Sequence, residues 1–463
     1  MSILDTIKEY SFVNEIHKNG GEVYVVGGSL RDELLNRPIK DLDLLICKIP
    51  FDKLNKLLRE HGHTNLVGKA FGIIKFFPHE DSKFELDIAL PRKEASTGQG
   101  HKDFHVDFDE SIPVKEDLLR RDFTINAIAK NIITGEVIDP TNGIKDLDSK
   151  IIRAVFDNSF KEDPLRLLRA IQFTARLGFT IEEGTFKQII ESVDLIDSIA
   201  KERIIVEIKK LFSAEKPSLG FDLMRDTGLL KHVFPDVQKM IGVTQPNKNN
   251  EDVYAHTMKV LDAARSADEL EKSGDLQIMF AALFHDAGKP KTKREDEESK
   301  RVTFFNHQHI STGIAWRWLK DYRATTVGIN PHHVCHLVKH HMFETKPFED
   351  NDKALRRFIS KVGKENIFDL IDLRLSDKKG GRFPNKVYGM LKLRERIHEE
   401  INRKVPFSAK DLAVTGYDII QLGHEAGPII GEIQKFLVQK VLDEPNLNTK
   451  EDLLNLIKEF DHE

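Results

Sequence analysis

The chain has 463 residues, of which 40% are hydrophobic and 31% charged, and its formal net charge is −5. This composition is that of a globular protein with room for about two to four domains. No run approaches the about 18 consecutive apolar residues of a membrane helix, so we expect no membrane span. The N-terminus lacks a secretory pattern, and the chain has only two cysteines. We therefore expect a cytoplasmic protein that would bind nucleic acid only through a local basic face.

The first predicted elements are a strand at 23–26, a Gly27–Gly28 turn, a helix at about 30–35 and a strand at 42–46. Asp41 and Asp43 share one face of the second strand because strand side chains alternate. Two such carboxylates repel each other unless a cation lies between them. Glycines before a helix let backbone N–H groups approach a phosphate, so the run favours a nucleotide held on magnesium. An isolated Asp-Leu-Asp would instead be a solvated strand edge.

A third carboxylate is predicted further along the same region. A helix at 51–61 is followed by strands at 73–77 and 84–90, and Glu85 and Asp87 share one face of the latter. If that strand lies beside the first, Asp87 is our choice to join the pair, and three carboxylates with two metals suit in-line phosphoryl transfer. The alternative is that Glu85 or Asp87 is an outward polar position.

The segment 94–108 has little periodicity and is predicted to be a flexible loop, either moving during the reaction or inert. After it, Arg120 and Arg121 precede Asp122 and Asn126. Adjacent arginines bind phosphate oxygens in bidentate geometry, and Asp122 and Asn126 are placed to bond a ribose hydroxyl. The alternative is a helix start with Asp122 as its cap. The segment 137–143 is predicted to be a strand that ends in a turn.

A helix is predicted to begin at Pro164, with Asp163 as its cap and Arg166 one turn on. A carboxylate beside a guanidinium offers an acceptor and a donor. Cytosine and adenine complement that edge, whereas guanine and uracil present the opposite order and leave buried groups unpaired. One Asp–Arg pair could thus accept C and A and reject G and U.

Together these motifs resemble those of the class II tRNA nucleotidyltransferase and poly(A) polymerase family, the CCA-adding enzymes. The resemblance rests on 27–43, 120–127 and 162–169 and covers roughly the first 240 residues; 89–100 looks like the form found in members with an HD domain. Ser29–Leu30 departs from the small residue and valine of many relatives.

The resemblance implies that Asp41 and Asp43 bind two magnesium ions, and that Asp163 and Arg166 act as a protein template for CTP and ATP. It also implies that Arg121 and Asp122 contact triphosphate and ribose, and that the segment near 94–102 helps the switch from C to A addition. Asp41, Asp43 and Asp87 are the predicted catalytic residues. The predicted nucleotide-binding residues are Gly28, Arg31, Arg121, Asp122, Asn126, Asp163, Arg166 and Arg169.

From about residue 180 onward the chain is predicted to be helical. A helix at 203–212 carries Arg203, Lys209 and Lys210, which either touch RNA phosphates or form a solvated face. The polar stretch 247–251 is predicted to join two domains.

Over half of the 19 histidines follow that stretch. An apolar helix at 276–284 delivers His285–Asp286, so a metal near its end would need His256 from a second helix and Asp377 from a third. This order resembles the HD phosphohydrolase superfamily over about 250–380. The likeness implies these four residues as ligands of Mg²⁺, Mn²⁺, Ni²⁺ or Co²⁺, with His307 and His340 as second-metal or phosphate-binding residues. It also implies hydrolysis of 2′,3′-cyclic phosphates and phosphomonoesters.

The expected fold class is α+β: a small mixed-sheet nucleotidyltransferase head (1–150), a helical neck (151–245), an HD domain (250–380) and a helical, tRNA-binding tail (381–463). The expected function is addition of CMP and AMP from CTP and ATP to the 3′ end of tRNA, by a monomer or homodimer. The alternatives are an A-adding enzyme or poly(A) polymerase, an HD phosphohydrolase whose head only binds RNA, and a non-enzymatic RNA-binding scaffold.

Overall fold

The computed structural model describes residues 3–39, 42–67, 73–82, 84–96, 104–245, 251–298, 301–403 and 405–460, with side chains except those of 3–5, 67, 93–96 and 104–108. The chain forms two compact units. The first comprises Met1–Ala214 and Asp222–His232, and the second comprises Glu215–Phe221 and Val233–Glu463. Most of the predicted linker 247–251 lies outside the described residues.

The first unit is built around one sheet. The strands of the unit are β1 (Glu22–Val26), β2 (Leu42–Cys47), β3 (Gly62–Val67), β4 (Ile73–Pro78), β5 (Leu86–Ala89), β6 (Arg92–Ser96), β7 (Phe104–Phe108), β8 (Ala129–Asn131), β9 (Val137–Ile138), β10 (Ile151–Ile152) and β11 (Thr180–Ile181). Strands β6 and β7, and likewise β10 and β11, form two-stranded sheets of their own, apart from the seven-stranded main sheet. The sheet has the order β3-β4-β5-β2-β1-β8-β9, in which β2 and β5 are parallel and the other neighbours antiparallel. The predicted mixed sheet is confirmed.

Helices surround and follow this sheet. They are α1 (Ile3–Lys8), α2 (Ser11–Lys18), α3 (Gly27–Leu34), α4 (Phe51–His61), α5 (Val114–Leu119), α6 (Gly143–Asp148), α7 (Ser159–Glu162), α8 (Leu165–Leu177), α9 (Glu183–Ser192), α10 (Lys201–Phe212), α11 (Ser218–Thr227) and α12 (Leu229–Val233). The helix predicted at about 30–35 begins earlier, at Gly27. Its first residues pack tightly beside β2, and such tertiary packing overrides the poor helix propensity of glycine.

The core lies on both faces of the sheet at its centre. In β1 the last four residues are all buried, and in β4 buried and half-buried residues alternate. A central strand covered on both faces is apolar throughout, whereas an outer strand alternates. On one face the ring of Phe12, from α2, meets that of Phe76 edge to face at 5.0 Å. Phe76 is the register partner of Leu86 on β5, the strand that carries Asp87.

The loop predicted at 94–108 is wrong for much of its length. Strands β6 and β7 pair antiparallel, with Arg92 opposite Phe108 and Ser96 opposite Phe104. The residues 97–103 between them lie outside the described residues. The sequence 104–108 alternates apolar and polar residues, which is the period of a strand, and the earlier polar residues concealed that signal.

The second unit is mainly helical. Its helices are α13 (Pro235–Gln238), α14 (Val253–Ser266), α15 (Leu276–Phe284), α16 (Lys289–Thr292), α17 (His307–Asp321), α18 (Pro331–His340), α19 (Asp352–Val362), α20 (Ile367–Gly380), α21 (Tyr388–Asn402), α22 (Gly416–Gln421), α23 (Pro428–Asp443) and α24 (Lys450–Phe460). It also has the short strands β12 (Arg294–Glu295) and β13 (Val302–Thr303), which the helical prediction missed. The predicted α+β class is confirmed.

Helix α15 lies at the centre of the second unit and packs against α14, α17, α18 and α20. Its residues from Ile278 to Phe284 are all buried. A helix that is apolar on every side must be surrounded by other elements, and here those elements converge on the end of α15, where His285 follows. None of the described helices combines the length and apolar character that a membrane span requires.

Candidate nucleotidyl-transfer and metal sites

The first candidate site lies where β2 and β5 run side by side. Asp43 and Asp87 are in-register partners on these parallel strands, so their side chains leave the same face of the sheet. Asp41 lies outside the described residues. The two strands therefore lie side by side as predicted. Asp43, one of the two predicted metal-binding aspartates, lies beside Asp87, the predicted third carboxylate.

Ser29 attaches the start of β2 to α3. The backbone N–H of Asp43 donates to the Ser29 hydroxyl at 2.8 Å. The same hydroxyl donates to Asp43 Oδ2 at 3.3 Å. Asp87 Oδ1 is buried and has no hydrogen-bond partner among the described residues, with Lys75 Nζ 3.6 Å away. A buried carboxylate oxygen without a hydrogen bond, beside a second carboxylate, is the kind of oxygen ligand that magnesium prefers.

Glu85 does not join this group. It precedes β5 and forms an ion pair with Lys75 at an exposed position. The register pairs Asp87, the residue chosen from the sequence, with Asp43, and its catalytic role stays a prediction.

The glycine turn brings an arginine to the carboxylates. Gly27 has a φ of +67°, and a Cβ there would lie 2.9 Å from Arg121 Nη1 and 3.7 Å from Asp43 Oδ2. A side chain at Gly27 would thus be strained and would collide with the guanidinium. The geometry puts a cation beside the carboxylates and beside the first amides of α3, which is where a phosphate would be bound.

Asp117, which the sequence analysis missed, holds both predicted phosphate-binding arginines. It is fully buried on α5 and accepts from Arg120 Nε at 3.0 Å and from Arg121 Nη2 at 3.1 Å. Burial alone would raise the pKa of this carboxyl, but Arg121 and Arg120 outweigh it and the pKa is lowered. The available signal was the spacing, since an acid three and four residues before two arginines shares their helix face.

Four further predicted residues form one buried chain of hydrogen bonds. Arg31 Nη1 donates to Asn126 Oδ1 at 2.9 Å, and Asn126 Nδ2 donates to Asp122 Oδ1 at 3.0 Å. Arg169 donates to Asp122 Oδ2 from Nε at 2.8 Å and from Nη2 at 2.6 Å. The chain joins α3 to α8. The ribose contact assigned to Asp122 stays a prediction, because its carboxylate is engaged with Arg169 and Asn126.

Because Asp122 is paired with Arg169, we expect the free energy of unfolding to depend on pH. Burial opposes ionisation of Asp122, yet Arg169 and Asn126 lower its pKa from 3.8 to about 2. Because the folded pKa lies below the unfolded one, the stabilisation is complete above about pH 4 and is lost as the pH falls toward 2. The shift corresponds to about 2 kcal/mol.

Replacing Asp122 with asparagine removes the charge that faces the half-buried Arg169 and leaves only the more distant Glu207, at 3.9 Å, as a described carboxylate partner, and we expect a loss of roughly 3 kcal/mol near neutral pH. The difference in urea midpoint between the wild-type protein and Asp122→Asn should become smaller as the pH falls below about 4. Glu183→Gln, at an exposed ion pair with Lys187, is the control and should leave the midpoint unchanged. A gap that stays constant over that pH range would contradict the assignment.

The predicted base-reading residues are neighbours, but they are not paired through their side chains. Asp163 precedes α8, and its carboxylate lies 3.2 Å from Arg203 Nη2. Arg166 is buried, and its guanidinium donates to Ser159 Oγ at 2.9 Å and to the carbonyl of Arg120 at 2.9 Å. The acceptor–donor edge expected from Asp163 and Arg166 is thus not formed in this conformation, and the helix begins one residue later than predicted, at Leu165.

The second candidate site lies at the end of α15 and unites the predicted ligands. His256 comes from α14 and Asp377 from α20, as the adjacent His285–Asp286 pair required. His256, His285 and Asp377 offer ligand atoms within 4.8 Å of one another. His256 Nε2 lies 3.2 Å from Asp377 Oδ1.

Asp286 faces two groups of ligands at once. Its Oδ2 is 3.2 Å from His285 Nε2, and its Oδ1 is 3.1 Å from His307 Nε2. Asp286, His307 and His341 form a second cluster with ligand atoms within 4.8 Å. Burial opposes ionisation of Asp286, but His285 and Lys289 outweigh it and hold its pKa well below the usual range. A charged carboxylate can therefore serve both clusters.

The residue that joins His307 is His341, not His340 as predicted. His340 is the last residue of α18 and packs its ring against that of His336 at 4.6 Å. His341 follows the helix, is buried, and its Nε2 lies 3.3 Å from His307 Nε2. Two helical neighbours differ by about 100° in direction, so a choice between adjacent histidines requires the structure.

Backbone carbonyls orient all four imidazoles. The Nδ1 atoms of three histidines lie within 2.9 Å of a carbonyl three residues earlier, and His256 Nδ1 lies 3.2 Å from the carbonyl of Gly380. A carbonyl only accepts, so each Nδ1 donates to it and each Nε2 is the ring nitrogen left to face the carboxylates or a metal. The Nε2 atoms converge on one another and on carboxylates, which is an arrangement that a divalent cation would satisfy. The residues fit a metal.

The basic residues between 382 and 404, in the segment expected to bind tRNA, are only partly available to a partner. Arg394 donates to the carbonyl of Glu269, Arg396 pairs with Asp352, and Arg403 pairs with Glu400. Lys404 lies outside the described residues. Lys386 and Arg382 lie over the exposed ring of Phe383. The tRNA contact stays a prediction.

Three family descriptions match the chain. They are the Poly A polymerase head domain over residues 23–153, the probable RNA and SrmB-binding site of polymerase A over 178–241, and the HD domain over 253–401. The first contains the β2–β5 carboxylates, and the third contains the histidine clusters. The chain is thus similar to a poly(A) polymerase head in its first part and to an HD domain in a later part.

Curated relatives described as Multifunctional CCA protein are similar to the chain. The one from Xanthomonas campestris pv. campestris (strain B100) is 39% identical over 282 residues, and the one from Actinobacillus pleuropneumoniae serotype 5b (strain L20) is 35% identical over 283 residues. Each match covers 59% of this chain and 65% of the relative, so the chain spans less than two thirds of their length.

Solved structures of CCA-adding enzymes have the same fold. The Bacillus stearothermophilus enzyme in complex with CTP has a TM-score of 0.70 at 22% identity, covering 100% of this chain and 98% of that one. The Thermotoga maritima enzyme complexed with tRNA(CCA) has a TM-score of 0.57 at 22% identity, covering 98% and 94%. The predicted resemblance to the CCA-adding enzymes with an HD domain is confirmed.

Proposed function

We propose that this chain, which carries a poly(A) polymerase head, an RNA-binding region and an HD domain in the fold of the CCA-adding enzymes, adds CMP and AMP to the 3′ end of tRNA. The observation that carries the proposal is the register of β2 and β5, which places Asp43 and Asp87 on one face beside Gly27 and Arg121. The residues come from the part of the chain that matches the head domain.

The reaction is attack of the tRNA 3′-hydroxyl on the α-phosphate of CTP or ATP, with pyrophosphate as the leaving group. Asp41 and Asp43 would hold magnesium, which when bound neutralises charge on the triphosphate and lowers the pKa of the attacking hydroxyl. Asp87 lies beside Asp43 and helps to activate that hydroxyl. Arg121, held by Asp117, binds triphosphate oxygens, and the first amides of α3 at Gly28 approach a phosphate.

The remaining proposed nucleotide contacts come from the buried chain and from the start of α8. Arg31, Asn126, Asp122 and Arg169 position the ribose and triphosphate, and Asp163 with Arg166 selects C and A over G and U. The protein therefore supplies the template itself. Its proposed partners are tRNA, CTP and ATP, it acts in the cytoplasm as a monomer or homodimer, and its domains are the head (1–150), neck (151–245), HD domain (250–380) and tail (381–463).

The test is incubation with tRNA that ends at the discriminator base, with CTP, ATP, UTP and GTP supplied singly and together, followed by sequencing of the 3′ ends. We expect C-C-A ends with the mixture, loss of addition in the presence of a chelator, and incorporation of CMP from CTP alone. Incorporation of AMP only would identify an A-adding enzyme or poly(A) polymerase. Absence of any addition would overturn the proposal.

The second unit favours a further activity, hydrolysis of 2′,3′-cyclic phosphates and phosphomonoesters. The specific observation is the set of four buried imidazoles whose Nε2 atoms converge on Asp286 and Asp377. His256, His285, Asp286 and Asp377 would hold Mg²⁺, Mn²⁺, Ni²⁺ or Co²⁺, and a bound divalent cation supplies an activated water. Lys289, 2.6 Å from Asp286 Oδ2, adds a positive charge beside the carboxylate.

A further inference from the structure

The carboxylate of Asp163 is held by a residue 40 positions later in the chain. Arg203, in the first turn of α10, places its Nη2 3.2 Å from Asp163 Oδ2 and 3.4 Å from Oδ1. The side chains of Asp163 and Arg203 are 24% and 28% exposed, so the pair is partly accessible to solvent and is not sealed in the core. Arg203 thus contacts both oxygens of the proposed base acceptor, and the backbone N–H of Leu165 also donates to Oδ1 at 3.3 Å.

Arg166 does not orient that carboxylate through its side chain. Its Nη1 donates to the carbonyl and the hydroxyl of Ser159 at 3.2 and 2.9 Å, and its Nη2 donates to the carbonyl of Arg120 at 2.9 Å. Its guanidinium also lies 5.6 Å from the centre of the Phe156 ring. These contacts fix Arg166 to α7 and to the end of α5, so the direction of the Asp163 carboxylate depends on another residue.

Arg203 is not fully satisfied by the contacts of the fold. Its Nη1 is buried and has no hydrogen-bond partner among the described residues. Buried donors are nearly always paired, and exceptions concentrate where a group serves a site. The neighbouring Glu207 on α10 instead pairs with Lys210 at 2.8 Å and lies 3.9 Å from Arg169, so α10 presents one arginine to Asp163 and one carboxylate to the network behind it.

We infer that Arg203 is a positioning residue for nucleotide selection: it fixes the carboxylate of Asp163 in the direction that accepts a hydrogen from the amino group of cytosine or adenine. This inference rests on the proposed function. A base with an oxygen at that position meets a carboxylate oxygen that cannot turn away, and the repulsion rejects guanine and uracil. Without Arg203 the carboxylate keeps only the weaker hold of the Leu165 N–H on Oδ1 among the contacts described above, so its direction is less constrained and the difference in kcat/KM between right and wrong bases shrinks.

The test measures kcat/KM for CTP, ATP, UTP and GTP on tRNA with Arg203→Met and Arg203→Lys. We expect Arg203→Met to lower the discrimination between CTP and UTP by about 10-fold or more, mainly through a higher KM for CTP, while lysine partly restores it because a cation is retained. Lys187→Gln, which removes an exposed positive charge from the same unit, is the matched control and should leave discrimination unchanged.

A double-mutant cycle shows whether Arg203 acts through Asp163. Combined with Asp163→Asn, Arg203→Met should cause little further loss of discrimination, whereas additive losses would overturn the inference. Unchanged discrimination in an active Arg203→Met protein would also overturn it. Should that protein fail to fold, Arg203→Lys carries the same comparison. If the wild-type protein adds no nucleotide, the proposed function fails instead, so the two failures are distinguishable.

Discussion

Replacing Asp43 with asparagine is expected to lower CMP addition to tRNA by about 1,000-fold or more while leaving the protein folded. The amide keeps the shape of the side chain but lacks the negative charge that would neutralise part of the charge of a bound cation. Metal-assisted charge stabilisation contributes several kcal/mol, and each 1.36 kcal/mol is about tenfold in rate. The backbone bond from Asp43 to the Ser29 hydroxyl does not depend on the substituted atom, so β2 should keep its place. Single-turnover addition at saturating CTP and magnesium measures the effect.

Glu85→Gln is the matched control for that substitution. Glu85 lies one residue before β5, two residues from Asp87, and pairs with Lys75 at an exposed position. The same charge is removed from the same region, so a loss of bulk negative potential would affect both variants equally. If Asp43→Asn still adds CMP to tRNA at the wild-type rate, the head does not catalyse the reaction as proposed. That result would favour the alternative in which the chain is a phosphohydrolase whose head only binds RNA.

The strand that carries Asp87 shows what the sequence can and cannot determine. Alternation placed Glu85 and Asp87 on one face, and the prediction that their strand lies beside β2 agrees with the register Asp43–Asp87. The sequence analysis chose Asp87 although the alternation treats the two acids alike, and only the structure shows the register that pairs Asp87 with Asp43. Local patterns therefore predicted the elements and the face, and the tertiary register supplied the partner.

Contacts between side chains that lie far apart in the sequence could not be predicted, because they too depend on the tertiary structure. Spacing rules relate residues one turn apart, so they suggested Asp163 with Arg166 and could not suggest Asp163 with Arg203 on another helix. The same limit explains His341. The sequence offered His340 and His341 as neighbours, but the direction of each depends on how α18 ends against α17 and α15.

Asp286 carries the prediction with the largest expected effect in the second unit. Its two carboxylate oxygens face different clusters, so one substitution removes a ligand from both. We expect Asp286→Asn to weaken binding of Mn²⁺ and Ni²⁺ by about 100-fold or more, since even residues behind the ligands contribute about 10–100-fold. Titration calorimetry of the full chain measures this directly, and hydrolysis of a 2′,3′-cyclic nucleotide should fall in parallel. Addition of CMP should be unchanged.

The choice between neighbouring histidines gives this prediction its control. His341→Ala should weaken metal binding at the cluster of Asp286 and His307, because its Nε2 faces His307 Nε2 at 3.3 Å. His340→Ala removes an imidazole one residue away whose ring packs on His336, and binding should be retained. Asp286 is buried beside Lys289, so the asparagine variant is checked by its thermal unfolding in the presence of a chelator, where no cation contributes to stability. Unaltered Mn²⁺ affinity in a folded Asp286→Asn protein would show that the imidazoles of this unit converge for packing and not for a metal.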